Sequence, residues 1–128
     1  ALKLWFHLRL DGIEAIRARL RRDLDNARWF ARQVEAAEGW EVLAPVPLQT
    51  VCIRHVPTDE QGQPLAGDAL DAHTLGWLAR INDSGAAFMS PSILDGRWMV
   101  RVSIGVEDTT REHVERLWAL LQREVHKP

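Results

Sequence analysis

The sequence predicts an α+β fold in which helices cover one small, mostly antiparallel four-stranded sheet, in the order α-α-β-β-α-β-β-α. The first observation is a hairpin signal: Asp95-Gly96 lies between two apolar runs, and both residues tolerate the positive φ of a tight turn. The second is the apolar spacing of three and four residues that is typical of amphipathic helices. Short strands joined by hairpins, together with such helices, favour the α+β class.

Length and charge limit the function classes. The 128 residues suffice for one domain with a substantial core. The 16 basic and 18 acidic side chains nearly cancel, so charge predicts neither a nucleic-acid partner nor a polybasic membrane anchor. The single cysteine cannot form an internal disulfide, and the sequence has no signal peptide or apolar run of membrane-spanning length. We therefore expect a cytoplasmic protein without a membrane partner.

The chain is expected to begin with two helices that meet at Gly12. Residues 1–12 direct apolar side chains in too many directions for an ordinary surface helix, so another part of the protein must cover them. After Gly12 the apolar residues recur at helical spacing, which predicts an amphipathic helix to about Ala37 with Gly39 as its terminator. The arginines of this helix are interspersed with acids such as Asp25, which is typical of a solvated face.

The middle of the chain predicts two short strands, a loop and a helix. Residues 40–44 and 50–56 read as strands, and the two prolines between them prevent one continuous strand. The polar segment 57–68 predicts a surface loop to which no chemistry can be assigned. From about Ala69 a helix directs its apolar residues to the core and ends near Gly85.

The last third predicts the second strand pair and the final helix. The strand before the Asp95-Gly96 turn contains Pro91, which predicts an edge strand or a broken one. Residues 98–104 alternate in polarity as a strand does. Thr109 and Glu112 fit a capping box, in which each side chain accepts from the other residue's backbone amide, so we expect a helix to start there.

Arg101 is the candidate functional residue. Alternation places it in mid-strand, on the opposite face from Val100 and Val102. A guanidinium in that position has two interpretations. It lies in water on an exposed sheet face, which is the commoner case, or it grips an anion through two parallel hydrogen bonds.

The residues contain no self-contained active site. The chain has five histidines without metal-ligand spacing, namely His7, His55, His73, His113 and His126. With no second cysteine, a zinc site is not expected. Cys52 stands between Val51 and Ile53, which favours a packed thiol over a nucleophile. There is no phosphate-binding glycine motif or nucleophile elbow, so we expect no catalytic, cofactor-binding or metal-binding residue in this chain.

Four motifs, in order, span nearly the whole chain. They are Leu2-Lys3-Leu4-Trp5-Phe6 with Arg9 and Gly12; Val46-Pro47-Leu48 before Val51-Cys52-Ile53-Arg54; Arg80-Ile81-Asn82 with Ser84-Gly85; and Leu94-Asp95-Gly96 through Arg101-Val102-Ser103-Ile104-Gly105. Each motif alone is moderately specific for one protein family, and the order of the four motifs is more specific. Together they resemble the C-terminal part of the group II amino-acid decarboxylases, which depend on pyridoxal 5′-phosphate (PLP) and include the aromatic-amino-acid, glutamate and histidine decarboxylases.

The resemblance implies that this chain is the small C-terminal domain of a dimeric, fold-type I PLP enzyme that releases CO₂ from an L-amino acid. Residues 1–12 would form the opening helix that links to a large domain upstream of Ala1, and residues 13–128 would form the small domain. Arg101 would contact the carboxylate of the amino-acid substrate. In the family, the Schiff-base lysine, the aspartate that pairs with the pyridine nitrogen and the ring-stacking histidine belong to the large domain. The fragment alone should therefore bind no cofactor and be inactive.

The alternative is a stand-alone α+β module for protein interaction or ligand sensing. In that case Arg101 is an ordinary exposed charge, and the apolar face around Trp5 and Phe6 binds a protein partner. A start codon near Ala1 would favour this alternative. A long upstream reading frame with a His-Lys pair after a strand would favour the decarboxylase. The residues that select the substrate side chain are expected to lie mostly outside this chain.

Overall fold

A computed structural model of the chain describes residues 2–43, 49–85, 89–104 and 110–126, with side chains described from Gly12 onward. These residues form helices and one antiparallel four-stranded sheet, which confirms the predicted α+β class. The elements are α1 (Leu2–Ala36), β1 (Trp40–Val42), β2 (Thr50–His55), α2 (Gly67–Ser84), β3 (Ser90–Leu94), β4 (Arg97–Ser103) and α3 (Arg111–Glu124).

The two predicted opening helices are the two parts of α1. Gly12 interrupts it with φ 78° and ψ 157°, a conformation that glycine adopts readily and other residues do not. The helix after Gly12 runs to Ala36, one residue short of the predicted end. Its second half buries Phe30 and Val34, whereas Ile13 and Leu20 near its start are about half exposed.

The sheet has the strand order β1-β2-β4-β3, and every neighbouring pair is antiparallel. The predicted hairpin joins β3 to β4, with Asp95 at φ 52° and Gly96 at φ 79° as the two residues of the turn. β3 is an edge strand, as Pro91 predicts. β1 ends at Val42, earlier than predicted, and the predicted last residue of that strand, Ala44, lies outside the described residues.

The hydrophobic core lies on one face of the sheet, where all three helices contribute side chains. β2 and β4 supply Val51, Ile53, Val100 and Val102 to it, all at most 1% exposed. Three tryptophans, one from β1, one from α2 and one from α3, meet in this core. The ring centroid of Trp40 lies 6.0 Å from that of Trp77 and 5.1 Å from that of Trp118. Edge-to-face packing of this kind stabilises a core beyond the area it buries.

The start of α3 corrects the predicted capping box. Thr110, not Thr109, is the N-cap, and its hydroxyl accepts from the backbone N–H of His113 at 3.3 Å. The Thr110 N–H donates in return to Nδ1 of His113 at 3.2 Å. The His113 imidazole thus takes the place of the glutamate or glutamine of the usual pattern, which is why the spacing from Thr109 to Glu112 predicted the wrong register. Thr109 itself lies outside the described residues.

Segment 57–68 is the predicted connection, and it is more ordered than a polar composition indicates. One carboxylate oxygen of Asp59 accepts from the backbone N–H groups of Gln61 and Gln63, both at 2.9 Å. The segment closes where the Leu65 N–H donates to the Pro57 carbonyl at 2.8 Å. α2 then starts at Gly67, two residues before the predicted start.

Candidate functional site

Arg101 lies in the middle of β4, between two neighbouring strands. It pairs in register with Cys52 on β2 and with Ser90 on β3. The side chains of Val100 and Val102 enter the core, and Arg101 is exposed on the other side of the sheet, as alternation predicts. No side chain in the described part of the chain forms a hydrogen bond or ion pair with its guanidinium.

The side chains around Arg101 form what we call the Arg101 face. It consists of Thr50, Cys52 and Arg54 on β2, Ser90 and Ser92 on β3, and Met99, Arg101 and Ser103 on β4. None of them belongs to the hydrophobic core cluster. Apart from the buried Met99, they are exposed or half-buried, and most are small and polar. Cys52 is half-buried on this face, directly opposite Arg101.

A second guanidinium on the Arg101 face already has a partner. Nε of Arg54 lies 3.6 Å from Oε1 of Glu41, the cross-strand neighbour of Arg54 on β1. Only 16% of the Arg54 side chain is exposed. Arg54 and Arg101 occupy diagonal positions on adjacent strands, which places their Cβ atoms about 7–8 Å apart. Glu41 therefore compensates one of the two charges, and Arg101 is the one available to an added anion.

Two side-chain contacts from α2 fix the hairpin that carries Arg101. The carboxylate of Asp71 accepts from Nη1 of Arg97 at 2.8 Å and from the backbone N–H of Trp98 at 3.1 Å. The amide of Asn82 bonds both backbone groups of Met89, accepting at 2.9 Å and donating at 3.0 Å. The start of each hairpin strand is thus held to the same helix. Sequence reasoning assigned neither contact: Asp71 belongs to no motif, Asn82 belongs to a motif that names no partner, and the partners lie 27 and 7 positions away.

Tertiary structure also brings together three of the five histidines, which lie far apart in the sequence. Nδ1 of His55 lies 2.9 Å from Nε2 of His73, and the ring centroids of His55 and His126 are 5.7 Å apart. Burial, and then the two neighbouring imidazoles, lower the pKa of His55 from 6.5 to about 4. Burial, and then Arg80 and His126, also lower the pKa of His73. Sequence analysis did not predict this contact, because spacing along the chain does not report contacts across a sheet.

Neither a metal centre nor a membrane span is found in the part of the chain that the structure describes. No group of three or more His, Cys, Asp or Glu side chains there has an arrangement that could hold a metal ion. None of the helices described combines the length and apolar character needed to cross a bilayer.

Comparison with known proteins matches nearly the whole chain to plant enzymes. It is 32% identical over 130 residues to tryptophan decarboxylase 2 of Oryza sativa subsp. japonica, a match that covers 99% of this chain and 24% of that protein. It is 32% identical over 127 residues to phenylacetaldehyde synthase of Arabidopsis thaliana, covering 97% of this chain and 24% of that protein. This chain is a homologue of the group II amino-acid decarboxylases. No protein-family model matches it.

The decarboxylase homologue shares its fold with solved structures. The crystal structure of Oryza sativa TDC with PLP and tryptamine superposes with a TM-score of 0.86, over 97% of this chain and 26% of that one. At 24% identity this likeness establishes the fold alone. The resemblance carried by the four motifs is confirmed, and so is the α+β architecture that the hairpin signal and the apolar spacing predict. The decarboxylase homologue spans about a quarter of the length of the curated relatives it matches.

Proposed function

We propose that this chain is the small C-terminal domain of a PLP-dependent amino-acid decarboxylase and that Arg101 contacts the carboxylate of the substrate. The observation that carries the role of Arg101 is its position: an exposed guanidinium, unpaired among the described side chains, in the middle of a sheet face outside the hydrophobic core. The homology over 99% of the chain supports the assignment to a decarboxylase.

A guanidinium on a rigid strand suits this role for physical reasons. Its planar fork donates two parallel hydrogen bonds to the two oxygens of one carboxylate, which fixes the orientation of the substrate as well as its position. β4 is paired on both sides, and Asp71 holds its first residues to α2, so the backbone that carries Arg101 is fixed before the substrate binds. Arg54 is less suited to binding a substrate carboxylate, because its guanidinium is already paired with the carboxylate of Glu41.

The chain's own residues do not fit a PLP site. The sequence has two lysines, Lys3 and Lys127, one near each end, and neither belongs to a motif for Schiff-base formation. Where PLP is bound, it supplies the electron sink for the carbanion left by CO₂ loss. In our proposal the residues that hold it belong to a large domain, in a homodimeric parent enzyme. The Arg101 face and the apolar stripe on α1 at Ile13 and Leu20 are the surfaces available for packing against that domain.

The substitution Arg101→Ala in the parent enzyme tests the proposal. Loss of two charge-assisted hydrogen bonds should lower kcat/KM roughly 10- to 100-fold, while PLP stays bound, because Arg101 touches substrate and not cofactor. Arg101→Lys keeps the charge but not the fork, so its kcat/KM should lie between those of wild type and Arg101→Ala. Turnover is measured by CO₂ release, and cofactor content by visible absorbance.

Arg116→Ala is the matched control. Arg116 is an exposed arginine on α3 that pairs with Glu112 one helical turn away. This variant removes the same charge without changing the sheet, and it should leave kcat/KM unchanged. Unchanged turnover in Arg101→Ala, or an equal loss of turnover and bound PLP, would contradict the role assigned to Arg101.

The reaction product needs its own measurement. One curated relative is named a decarboxylase and another a phenylacetaldehyde synthase, at the same 32% identity. Homology therefore does not distinguish an enzyme that makes an amine from one that makes an aldehyde. We propose the amine, and chromatography of the products from an aromatic L-amino acid distinguishes the two.

A further inference from the structure

His55, His73 and His126 form what we call the histidine cluster, at a point where three elements end or meet. His55 is the last residue of β2, His73 lies in α2, and His126 follows the end of α3. His55 is 4% exposed, and its ring packs against that of Trp40 with 4.9 Å between centroids. The cluster lies outside the Arg101 face, and the proposed function makes no use of it.

The geometry between His55 and His73 is that of a hydrogen bond. Their facing nitrogens are 2.9 Å apart and their ring centroids 5.1 Å apart, so the two nitrogens lie nearly on the line that joins the ring centres. Lone pairs that ligate one metal ion would instead converge on a point off that line. One nitrogen must donate and the other accept, so the bond requires at least one neutral ring.

The groups around the cluster disfavour protonation of His55 and His73. On α2, Arg80 lies close enough to lower the pKa of His73, and on the α3 side His126 lowers the pKa of both other rings. The one acidic group near this end of α3 with a described pairing is Glu124, and it is engaged by Arg80, with 3.7 Å between Nε and Oε2. β1 contributes the uncharged ring of Trp40. Protonation of His55 or His73 therefore places a charge on a buried or half-buried ring, and in the case of His73 close to the guanidinium of Arg80.

We propose that the histidine cluster makes the docking of the C-terminal end of α3 sensitive to pH. The neutral pair His55 and His73 holds the end of β2 against α2 beside the end of α3, and proton uptake by this pair separates these elements. The release is local, because Trp118 and Leu121 still anchor the preceding turns of α3 in the core. The residues freed first are Val125 and His126.

The sign of the pH dependence follows from the difference in proton binding between the docked and undocked states. Burial and neighbouring charges lower the pKa values of His55 and His73 while the end of α3 is docked, so in our proposal the undocked state binds more protons below pH 6.5. The contribution of the cluster to stability is complete above that pH. It is lost as the pH falls from 6.5 towards the folded pKa of His55, about 4.

Hydrogen exchange in the full chain tests the proposal. The Val125 N–H bonds to the Leu121 carbonyl at 3.1 Å and reports whether the end of α3 is docked. Between about pH 7 and about pH 5, its protection factor should fall roughly ten-fold more than that of Phe30 on α1. In His73→Gln, which removes one of the two imidazoles with a lowered pKa, this difference should shrink to roughly three-fold, because the buried His55 still contributes.

His113→Gln is the matched control. It removes one imidazole from the other end of α3, and glutamine at this position preserves the capping box. This variant should keep the full pH response of wild type. An unchanged response in His73→Gln, or its loss in His113→Gln, would overturn the proposal.

NMR titration of the imidazoles provides a second measurement that needs no variant. His55 and His73 should remain neutral below pH 6.5, and ordinary titration of both would refute the proposal. Zn²⁺ is added separately at neutral pH. If it raises the denaturation midpoint of wild type but not of His73→Gln, the cluster is a metal site and the proton-sensitive contact is rejected.

Discussion

Asp71 shows how one half-buried carboxylate sets the position of a functional strand. It accepts a charge-assisted hydrogen bond from Arg97 and a second bond from the backbone N–H of Trp98, the first two residues of β4. The side chain is 19% exposed, so water replaces these bonds poorly when one partner is removed. The contact links α2 to the strand that carries Arg101.

Substitution of Asp71 should cost more stability than is usual for a surface acid. Asp71→Ala leaves the Trp98 N–H without its partner and removes the ion pair, so we expect a loss of about 1–2 kcal/mol in the free energy of unfolding. Asp71→Asn keeps an acceptor and should lose less. Urea denaturation followed by tryptophan fluorescence measures both. Glu115→Ala, an exposed acid on α3, is the control and should change stability by less than about 0.5 kcal/mol.

For individual residues, the sequence correctly predicted features that depend on neighbouring positions in the chain. The side of the sheet on which Arg101 lies follows from the alternation of β4 alone. The bond between His55 and His73 could not be foreseen, since it depends on how α2 crosses the sheet. The same holds for the hydrogen bond that the Trp98 N–H donates to the carboxylate of Asp71. The contacts of such isolated polar residues can be identified only when the position of the helix against the sheet is known.

Among the elements, α3 depends on its first turn. Thr110 and His113 satisfy each other's backbone amides, and the helix places Val114, Trp118 and Leu121 in the core. Its start therefore fixes which side chains face the sheet. The sequence predicted the existence of this helix and its apolar stripe. It missed the cap by one residue, because both Thr109 and Thr110 can serve as an N-cap and the imidazole was not considered as an acceptor.

Two substitutions distinguish the observed capping box from the predicted one. Thr110→Ala removes the hydroxyl that accepts from His113 and should lower stability by about 1 kcal/mol, with Thr110→Ser close to wild type. Glu112→Ala removes the carboxylate of the predicted box. In the structure this carboxylate forms only an exposed ion pair with Arg116, so we expect a loss of about 0.3 kcal/mol in stability. Thermal unfolding monitored by circular dichroism measures both. A larger loss in Glu112→Ala than in Thr110→Ala would contradict the observed cap.

For the whole molecule, the arrangement of one core on one face of the sheet has a functional consequence. All three helices supply side chains to this core, and the Arg101 face lies on the other side of the sheet. The α+β class and the order of elements followed from the sequence. The sheet order β1-β2-β4-β3 did not, because it depends on long-range pairing that local patterns do not encode.

The proposed division between two domains leads to a prediction for the isolated 128-residue chain mixed with PLP and an aromatic L-amino acid. The chain should fold but form neither amine nor aldehyde, because its two lysines, Lys3 and Lys127, lie near the chain ends and match no Schiff-base motif. Circular dichroism checks the fold, and chromatography checks for products. A complete tryptophan decarboxylase from rice is the positive control for product detection. Product formation by the isolated chain, together with a borohydride-stable PLP adduct on either lysine, would show that it holds its own active site and would contradict the proposed division between two domains.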